Sequence, residues 1–303
     1  MFVTMKLQEA ERLVINALKN IYEEGEAGSI AGLAMEQVTG LASTERMLRK
    51  ENVLDASQVN ELQRIIERLA NQEPIQYILN KCWFYGMELY VDRDVLIPRP
   101  ETEELVDWVI KDIRIKAPGL LEKQYGEADE TTRMKILDVG TGSGCIALAL
   151  KKTIPAAEVW GCDISDRALN IARRNGSELN IRVDFQSVDY LDLAQQMHLP
   201  TVDILVSNPP YVPQKDKADM QPNVLQYEPH TALFVDNDDA LLFYKAMIGF
   251  GRHRLHEKGV IYMEIHENLG EEVKKIFEEE GYAVELRKDM QGKERMVRAS
   301  LAS

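Results

Sequence analysis

Ile136-Leu137-Asp138-Val139-Gly140-Thr141-Gly142-Ser143-Gly144-Cys145-Ile146-Ala147-Leu148 is the stretch that decides the fold class of this chain. An apolar strand runs into a glycine turn and a helical pattern begins at Cys145, the order that opens a β-α unit of a parallel sheet. Glycines allow positive φ and close approach of a ligand to the backbone. Free NH groups at the helix start favour an anion, so a carboxylate or phosphate is expected there. The dinucleotide fingerprint is GxGxxG, whereas this loop reads GxGxG with Cys145 where a third glycine would fall. Asp163 ends the next apolar run, 21 positions past Gly142, and suits a carboxylate that accepts hydrogen bonds from a ribose diol. An adenosine-containing ligand fits, and these residues alone leave NAD and S-adenosylmethionine both open.

Outward from this unit, short apolar runs alternate with helical stretches, the pattern of an α/β fold. Strands are expected at 134–139, 156–162, 182–187, 202–207, 260–265, 282–288 and 294–300, a full Rossmann-like sheet. Only the turn around Gln291-Gly292 joins the last two, so they should pair antiparallel. Upstream, Leu7, Ala10, Leu13, Val14, Ala17, Leu18 and Ile21 keep the rhythm of a helix with one buried stripe. A second stripe through Val59, Leu62, Ile65, Ile66 and Leu69 follows Asp55 and Gln58, which are spaced as a capping box. Shorter helices are expected at 30–39 and 43–50, and Pro74 can open one more. After Lys81 come Trp83-Phe84-Tyr85, Leu89-Tyr90-Val91 and Val95-Leu96-Ile97, broken by Asp92-Arg93-Asp94, which fits a β-hairpin. Pro100 then starts a helix that buries Leu105, Val106 and Val109. The expected division is an all-α helical bundle at 1–80, a hairpin connector at 81–100 and an α/β domain at 101–303, with a polar segment at 116–133.

The chain has 303 residues, 45% hydrophobic and 28% charged, enough for two domains with a sizeable core and unlike a disordered chain. Its 36 Lys and Arg against 50 Asp and Glu give a net charge of −14, which opposes gripping duplex nucleic acid through phosphates. Residues 1–80 are acidic as well, with 8 basic and 12 acidic side chains. No run approaches the ~20 apolar residues of a membrane-spanning helix, and Met1 to Glu11 lacks the layout of a signal peptide, so a cytoplasmic protein is expected. Cys82, Cys145 and Cys162 form no CxxC pair and His253, His256 and His266 give no HExxH, so neither a disulfide framework nor a metal site is expected.

The apolar run 202–207 leads directly into Asn208-Pro209-Pro210-Tyr211. Two prolines cannot continue a central strand, so the chain must turn out at the carboxyl edge of the sheet, where α/β folds bind ligands. The rings remove two NH donors and leave the Asn208 side-chain oxygen and nearby carbonyls as rigid acceptors. Such acceptors suit an NH2 group on a planar carbon, either an adenine amino group or a glutamine amide. Holding both NH protons orients the nitrogen, so positioning and electrostatics lower the barrier without a covalent enzyme intermediate. Tyr211 is a candidate to pack over the planar group and tolerate a cationic sulfur.

With these residues the chain resembles a class I S-adenosylmethionine-dependent methyltransferase: DVGTGSG at 138–144 is similar to the cofactor loop and GCDIS at 161–165 to the ribose-binding strand end. The resemblance implies that Gly140, Thr141, Gly142, Ser143, Gly144, Asp163, Asp189, Tyr190 and Asn208 bind the donor, whose product is S-adenosylhomocysteine. Tyr190 reads equally as a partner for adenine or as a core tyrosine. Val95-Leu96-Ile97-Pro98-Arg99-Pro100-Glu101-Thr102-Glu103-Glu104-Leu105 resembles the approach to the catalytic domain of HemK/PrmC-type protein-(glutamine-N5) methyltransferases. That family methylates the glutamine of the GGQ motif in peptide chain release factors. The likeness extends to Tyr227-Glu228-Pro229, Ala232-Leu233, Asp289, Gly292 and Arg295, and departs from the family at Phe234-Val235-Asp236-Asn237-Asp238-Asp239-Ala240. It implies that Asn208, Pro209 and Tyr211 carry the chemistry, that Asn208 to Tyr211 bind the glutamine, and that the helical bundle contacts the release factor.

Three alternatives stay open at this level: an adenine-N6 methyltransferase of DNA or RNA, a glutamine methyltransferase of a ribosomal protein, and a non-catalytic adaptor. Stable nucleic-acid or membrane binding is not expected. Arg99 and Glu101 read equally as structure or as a cover of the cofactor pocket, and Glu264 as a cleft residue or a solvated strand end.

Overall fold

The strand that feeds the glycine turn, Lys135–Val139, pairs in parallel with Glu158–Asp163 on one side and Val202–Ser207 on the other. Helices cover both faces of such a strand, which is why it is apolar almost throughout. Ile136 enters one hydrophobic core, and Leu137 and Val139 enter the core across the sheet. The computed structural model describes residues 5–121, 133–235 and 239–301. Most of the polar segment 116–133, together with Asp236 to Asp238 and both chain ends, lies outside the described residues.

Residues divide into two units: one runs to Lys81 and includes Gln221–Tyr227, and the other runs from Cys82 to Met220 and resumes at Glu228. In the first unit, β1 (Met5–Lys6) pairs antiparallel with β2 (Val53–Leu54) beside helices α1 (Leu7–Leu18), α2 (Glu24–Thr39), α3 (Ser43–Leu48), α4 (Ala56–Ala70) and α5 (Ile75–Leu79). Leu7, Ala10, Val14 and Leu18 of α1 meet the small residues Ala27, Ala31 and Ala34 of α2 in one core. Asp55 and Gln58 form the expected capping box at 2.9 and 3.0 Å. Two boundaries depart from periodicity. The first helix stops at Leu18, leaving Ile21 36% exposed, and α2 begins at Glu24, because its small buried face gives a weak apolar stripe before Ile30.

The second unit opens with β3 (Cys82–Phe84) and β4 (Met87–Leu89), an antiparallel hairpin. Its turn is Tyr85-Gly86, both at positive φ, the geometry that matches the twist of paired strands. Asp92-Arg93-Asp94, the break expected from sequence, instead makes a local turn, and Val95 to Ile97 form no strand. Helix α6 (Pro100–Lys116) buries Thr102, Leu105, Val106 and Val109.

The remaining strands are β5 (Lys135–Val139), β6 (Glu158–Asp163), β7 (Asp184–Ser187), β8 (Val202–Ser207), β9 (Val212–Pro213), β10 (Phe234–Val235), β11 (Leu255–Glu264), β12 (Tyr282–Lys288) and β13 (Glu294–Leu301). Among the described residues seven of them form one sheet in the order β12-β13-β11-β8-β5-β6-β7. Strands β12 and β13 pair antiparallel, as the short turn between them demands. Strand β11 starts earlier than expected because its first half, Leu255 to Gly259, is polar and enters with a shift of register before Val260. Helices α7 (Cys145–Thr153) and α8 (Asp166–Glu178) pack with α6 in the first core. After the short helices α9 (Leu193–Gln196), α10 (Pro222–Tyr227) and α11 (His230–Leu233), α12 (Leu242–Arg254) and α13 (Gly270–Glu279) pack in the second. Among the described residues no helix is long and apolar enough to cross a membrane.

Candidate functional site

The carboxyl ends of β5, β6, β7 and β8 open onto a cavity of about 400 Å³ in the second unit. Gly140 and Gly142 line it with φ of +69° and +52°, values that side chains adopt at a cost. Gly144 has φ of +82° but serves packing, since a Cβ there would lie 3.1 Å from both Ala172 Cβ and Phe185 Cζ. The loop holds itself together: Gly140 N and Thr141 N donate to Cys162 O at 2.9 and 3.0 Å, and Gly142 N donates to Asp163 Oδ2 at 2.9 Å.

Asp138 changes the sequence-based picture of the helix start. Its Oδ2 accepts from Thr141 Oγ1 at 2.6 Å and from Ala147 N in the first turn of α7 at 3.2 Å. The anion expected at that helix is therefore in part the chain's own. Burial pushes the Asp138 carboxyl up to about 7, against the pull of those two donors.

Asp163 lines the cavity at the end of β6, with Ser165 N donating to its Oδ1 at 2.9 Å. Burial raises its carboxyl above the ordinary range while the backbone donors of Ser165, Gly142 and Ile164 oppose the rise. Next to it, Ile164, Val188 and Leu191 give the cavity an apolar wall, and Asp189 and Tyr190 line it too. The Tyr190 ring is 5% exposed and packs 5.6 Å from Phe250, so most of it belongs to the core. Thr141 and Ser143 are both buried, Thr141 in its bond to Asp138.

Asn208, Pro209 and Pro210, directly after β8, line the same cavity. Asn208 Nδ2 donates to Thr102 Oγ1 at 3.1 Å, and Thr102 Oγ1 donates to Glu264 Oε1 at 2.6 Å. Tyr211 leaves in another direction: its ring meets His266 edge-on at 6.2 Å, and burial raises its hydroxyl well above the usual range. Pairing of β9 with β10 ties down the chain just after these residues, and Phe234 and Val235 of β10 return to the cavity wall.

Val95 and Leu96 close part of the cavity, whereas Arg99 and Glu101 point elsewhere. Arg99 pairs with buried Glu228 at 2.5 Å, Ile97 N donates to the same carboxylate at 3.2 Å, and Glu101 accepts from Gln291 Nε2 at 3.2 Å. Reasoning from sequence missed Thr102. The available signal was its place on the apolar stripe of α6 with Leu105, Val106 and Val109, where a hydroxyl needs a partner. Among the described residues no His, Cys, Asp and Glu cluster is arranged to hold a metal ion.

The cavity's lining has the chemistry S-adenosylmethionine needs: a carboxylate beside backbone at positive φ, an apolar slot and a polar far end. These residues fit an adenosyl group at one end and a charged, methyl-bearing end near Asn208. Comparisons with known proteins agree in kind. A family model described as PrmC N-terminal domain matches residues 9–79, and one described as Methyltransferase small domain matches residues 120–227. A Release factor glutamine methyltransferase of Flavobacterium psychrophilum is 38% identical over 290 residues, covering 94% of this chain and 96% of that protein. One of Bacteroides thetaiotaomicron is 38% identical over 285 residues, covering 94% and 96%. The solved hMettl16 catalytic domain, in complex with a 3'UTR hairpin, is 17% identical over 72% of this chain and 77% of that one with a TM-score of 0.52, a likeness of fold alone.

Proposed function

The chain belongs to the release factor glutamine methyltransferase family, and from that premise we propose how its own residues carry out the transfer. The protein is an S-adenosylmethionine-dependent enzyme that methylates the side-chain amide nitrogen of a release factor glutamine. When bound, S-adenosylmethionine supplies an electrophilic methyl carbon on a positively charged sulfur. Asp163 holds the ribose, Gly140 and Gly142 let the ligand lie against the backbone, and Ile164, Val188 and Leu191 receive the flat base. We assign Asn208 and the Pro209 carbonyl to the two NH protons of the glutamine of a GGQ motif. That contact orients a weakly nucleophilic nitrogen and keeps it desolvated beside Pro210. A glutamate in the same place would turn carboxylate oxygens toward oxygen acceptors and be repelled. The helical unit is assigned to release factor recognition, and the work of the enzyme to the cytoplasm, where release factors act.

One observation carries this reading: Asn208 and Pro209 line the same cavity as Gly140, Gly142 and Asp163. Incubation with labelled S-adenosylmethionine and a release factor should label the factor, and Gln→Ala in its GGQ motif should abolish the label. Persistent labelling of that variant, or labelling of an oligonucleotide instead, overturns the assignment. Asn208→Ala should lower kcat about 100-fold while leaving the dissociation constant of S-adenosylmethionine almost unchanged.

A further inference from the structure

We propose that Thr102 and Glu264 are positioning residues that dictate which face of the Asn208 carboxamide looks into the cavity, a role that rests on glutamine being the substrate. Three segments far apart in the chain meet there: the first turn of α6, the end of β8 and the end of β11. Thr102 is 2% exposed and Glu264 1% exposed. A threonine hydroxyl has one proton, and this one goes to Glu264 Oε1 at 2.6 Å. Toward Asn208, 3.1 Å away, the hydroxyl is therefore an acceptor only. The amide must answer with its NH2 group, which leaves Oδ1 for the cavity. Rotating the amide by half a turn would set two oxygens face to face and offer NH donors to a substrate NH2 group that needs acceptors. The relay thus converts a side chain with two nearly isosteric orientations into one with a single useful orientation.

The direction of the relay is set by its charged end. An ionised carboxylate only accepts, so the order of donation runs from Asn208 through Thr102 to Glu264. A protonated Glu264 can donate to Thr102 Oγ1, which frees the hydroxyl proton to turn toward Asn208 and reverses the amide. Around the carboxyl stand Arg99, Glu101 and Thr102 at the start of α6, Tyr211 after β8, Tyr244 of α12 and Arg295 of β13. Burial pushes it up to about 7, while the Thr102 hydroxyl, Arg295 and Arg99 favour the ionised form. Transfer should accordingly need Glu264 ionised and decline on the acid side of neutrality.

The test uses the full-length enzyme with a release factor and four variants: Thr102→Val, Thr102→Ser, Glu264→Gln and the double variant Thr102→Val with Glu264→Gln. Thr102→Val keeps the shape and deletes the relay. Glu264→Gln keeps the shape and gives the far end an NH2 group able to drive the relay either way. Each should lower kcat about 10- to 100-fold with the S-adenosylmethionine dissociation constant within about twofold of wild type, and the double variant should be no worse than the weaker single. Thr102→Ser, which retains the hydroxyl, should stay within a few-fold of wild type. The acid limb of the wild-type kcat profile should be missing from Glu264→Gln. In spectra of selectively labelled asparagine, the Asn208 side-chain amide signals should move in Thr102→Val and hold in Thr102→Ser. A Thr102→Val enzyme at wild-type speed, additive losses in the double variant, or unmoved Asn208 amide signals would overturn the relay. A wild-type enzyme that leaves the release factor unlabelled would bring down the glutamine reading first and the relay with it, so the two failures are told apart.

Discussion

Glu264→Gln should flatten the dependence of stability on pH. Glu264 is almost wholly buried, and burial lifts its carboxyl from an ordinary 4.5 to about 7. The folded chain then holds a proton that the unfolded chain releases, so stability is full below the unfolded value, falls as pH rises through the interval, and levels off above the folded value. At ~1.4 kcal/mol per unit, the interval is worth ~3 kcal/mol, of which ~2.5 kcal/mol is regained between about pH 8 and about pH 5. Asp138, fully buried and likewise lifted to about 7 by burial, acts in the same direction with a similar size. On acidification over that range the wild-type protein should gain both contributions, and the Glu264→Gln protein only the share of Asp138. Urea-unfolding free energies of the two proteins at the two pH values and fixed ionic strength measure the difference directly. Parallel pH slopes would mean that Glu264 titrates as an exposed carboxyl does, and the reasoning from burial would be refuted.

Gly144→Ala should destabilise the fold by ~1–3 kcal/mol, because it adds a methyl group against Ala172, Phe185 and Leu148 at a residue with φ of +82°; thermal unfolding checks it. Asp163→Ala should weaken binding of S-adenosylmethionine about 10- to 100-fold, through loss of the proposed ribose contact and of the carboxylate that holds Gly142 N and Ser165 N; calorimetric titration of cofactor reads the change. Glu228→Ala removes the buried acceptor of both Ile97 N and Arg99, at a cost of ~1–3 kcal/mol. The neighbouring wall of Val95 and Leu96 should loosen with it, seen as a raised KM for S-adenosylmethionine in steady-state assays.

Most of the fold was legible because its signals are local. A strand buried on both faces has to be an apolar run, and Ile136 to Val139 show it without any partner in view. The antiparallel end of the sheet followed from the shortness of the turn after Lys288. Legibility failed where burial did not produce a large apolar stripe: α2 begins six residues before Ile30 on alanine and glycine, and β11 begins on Leu255-His256-Glu257-Lys258. The hairpin reverses one turn earlier than polarity suggests for a related reason, since the acidic pair flanking Arg93 is a stronger polar break than Tyr85-Gly86, where backbone twist rather than polarity makes the reversal.

At the cavity, motif reading reached Gly140, Gly142, Asp163, Asn208 and Pro209, because a turn of glycines or prolines constrains its own backbone wherever it stands. It did not reach what the side chains do across space. Tyr211 shares a tetrapeptide with Asn208 yet turns toward His266, and Asp138 supplies from within the charge that Ala147 N and Thr141 meet. Thr102 comes to Asn208 from 106 residues upstream, and Glu264 from the end of β11, the strand paired with β8. Periodicity and turn chemistry act between neighbours along the chain, and they sufficed for the architecture and the acceptor turn. The partner of a hydroxyl or a carboxylate is chosen by distance and burial after the helices and strands have packed, so the polar relay that orients the acceptor belongs to the tertiary structure alone.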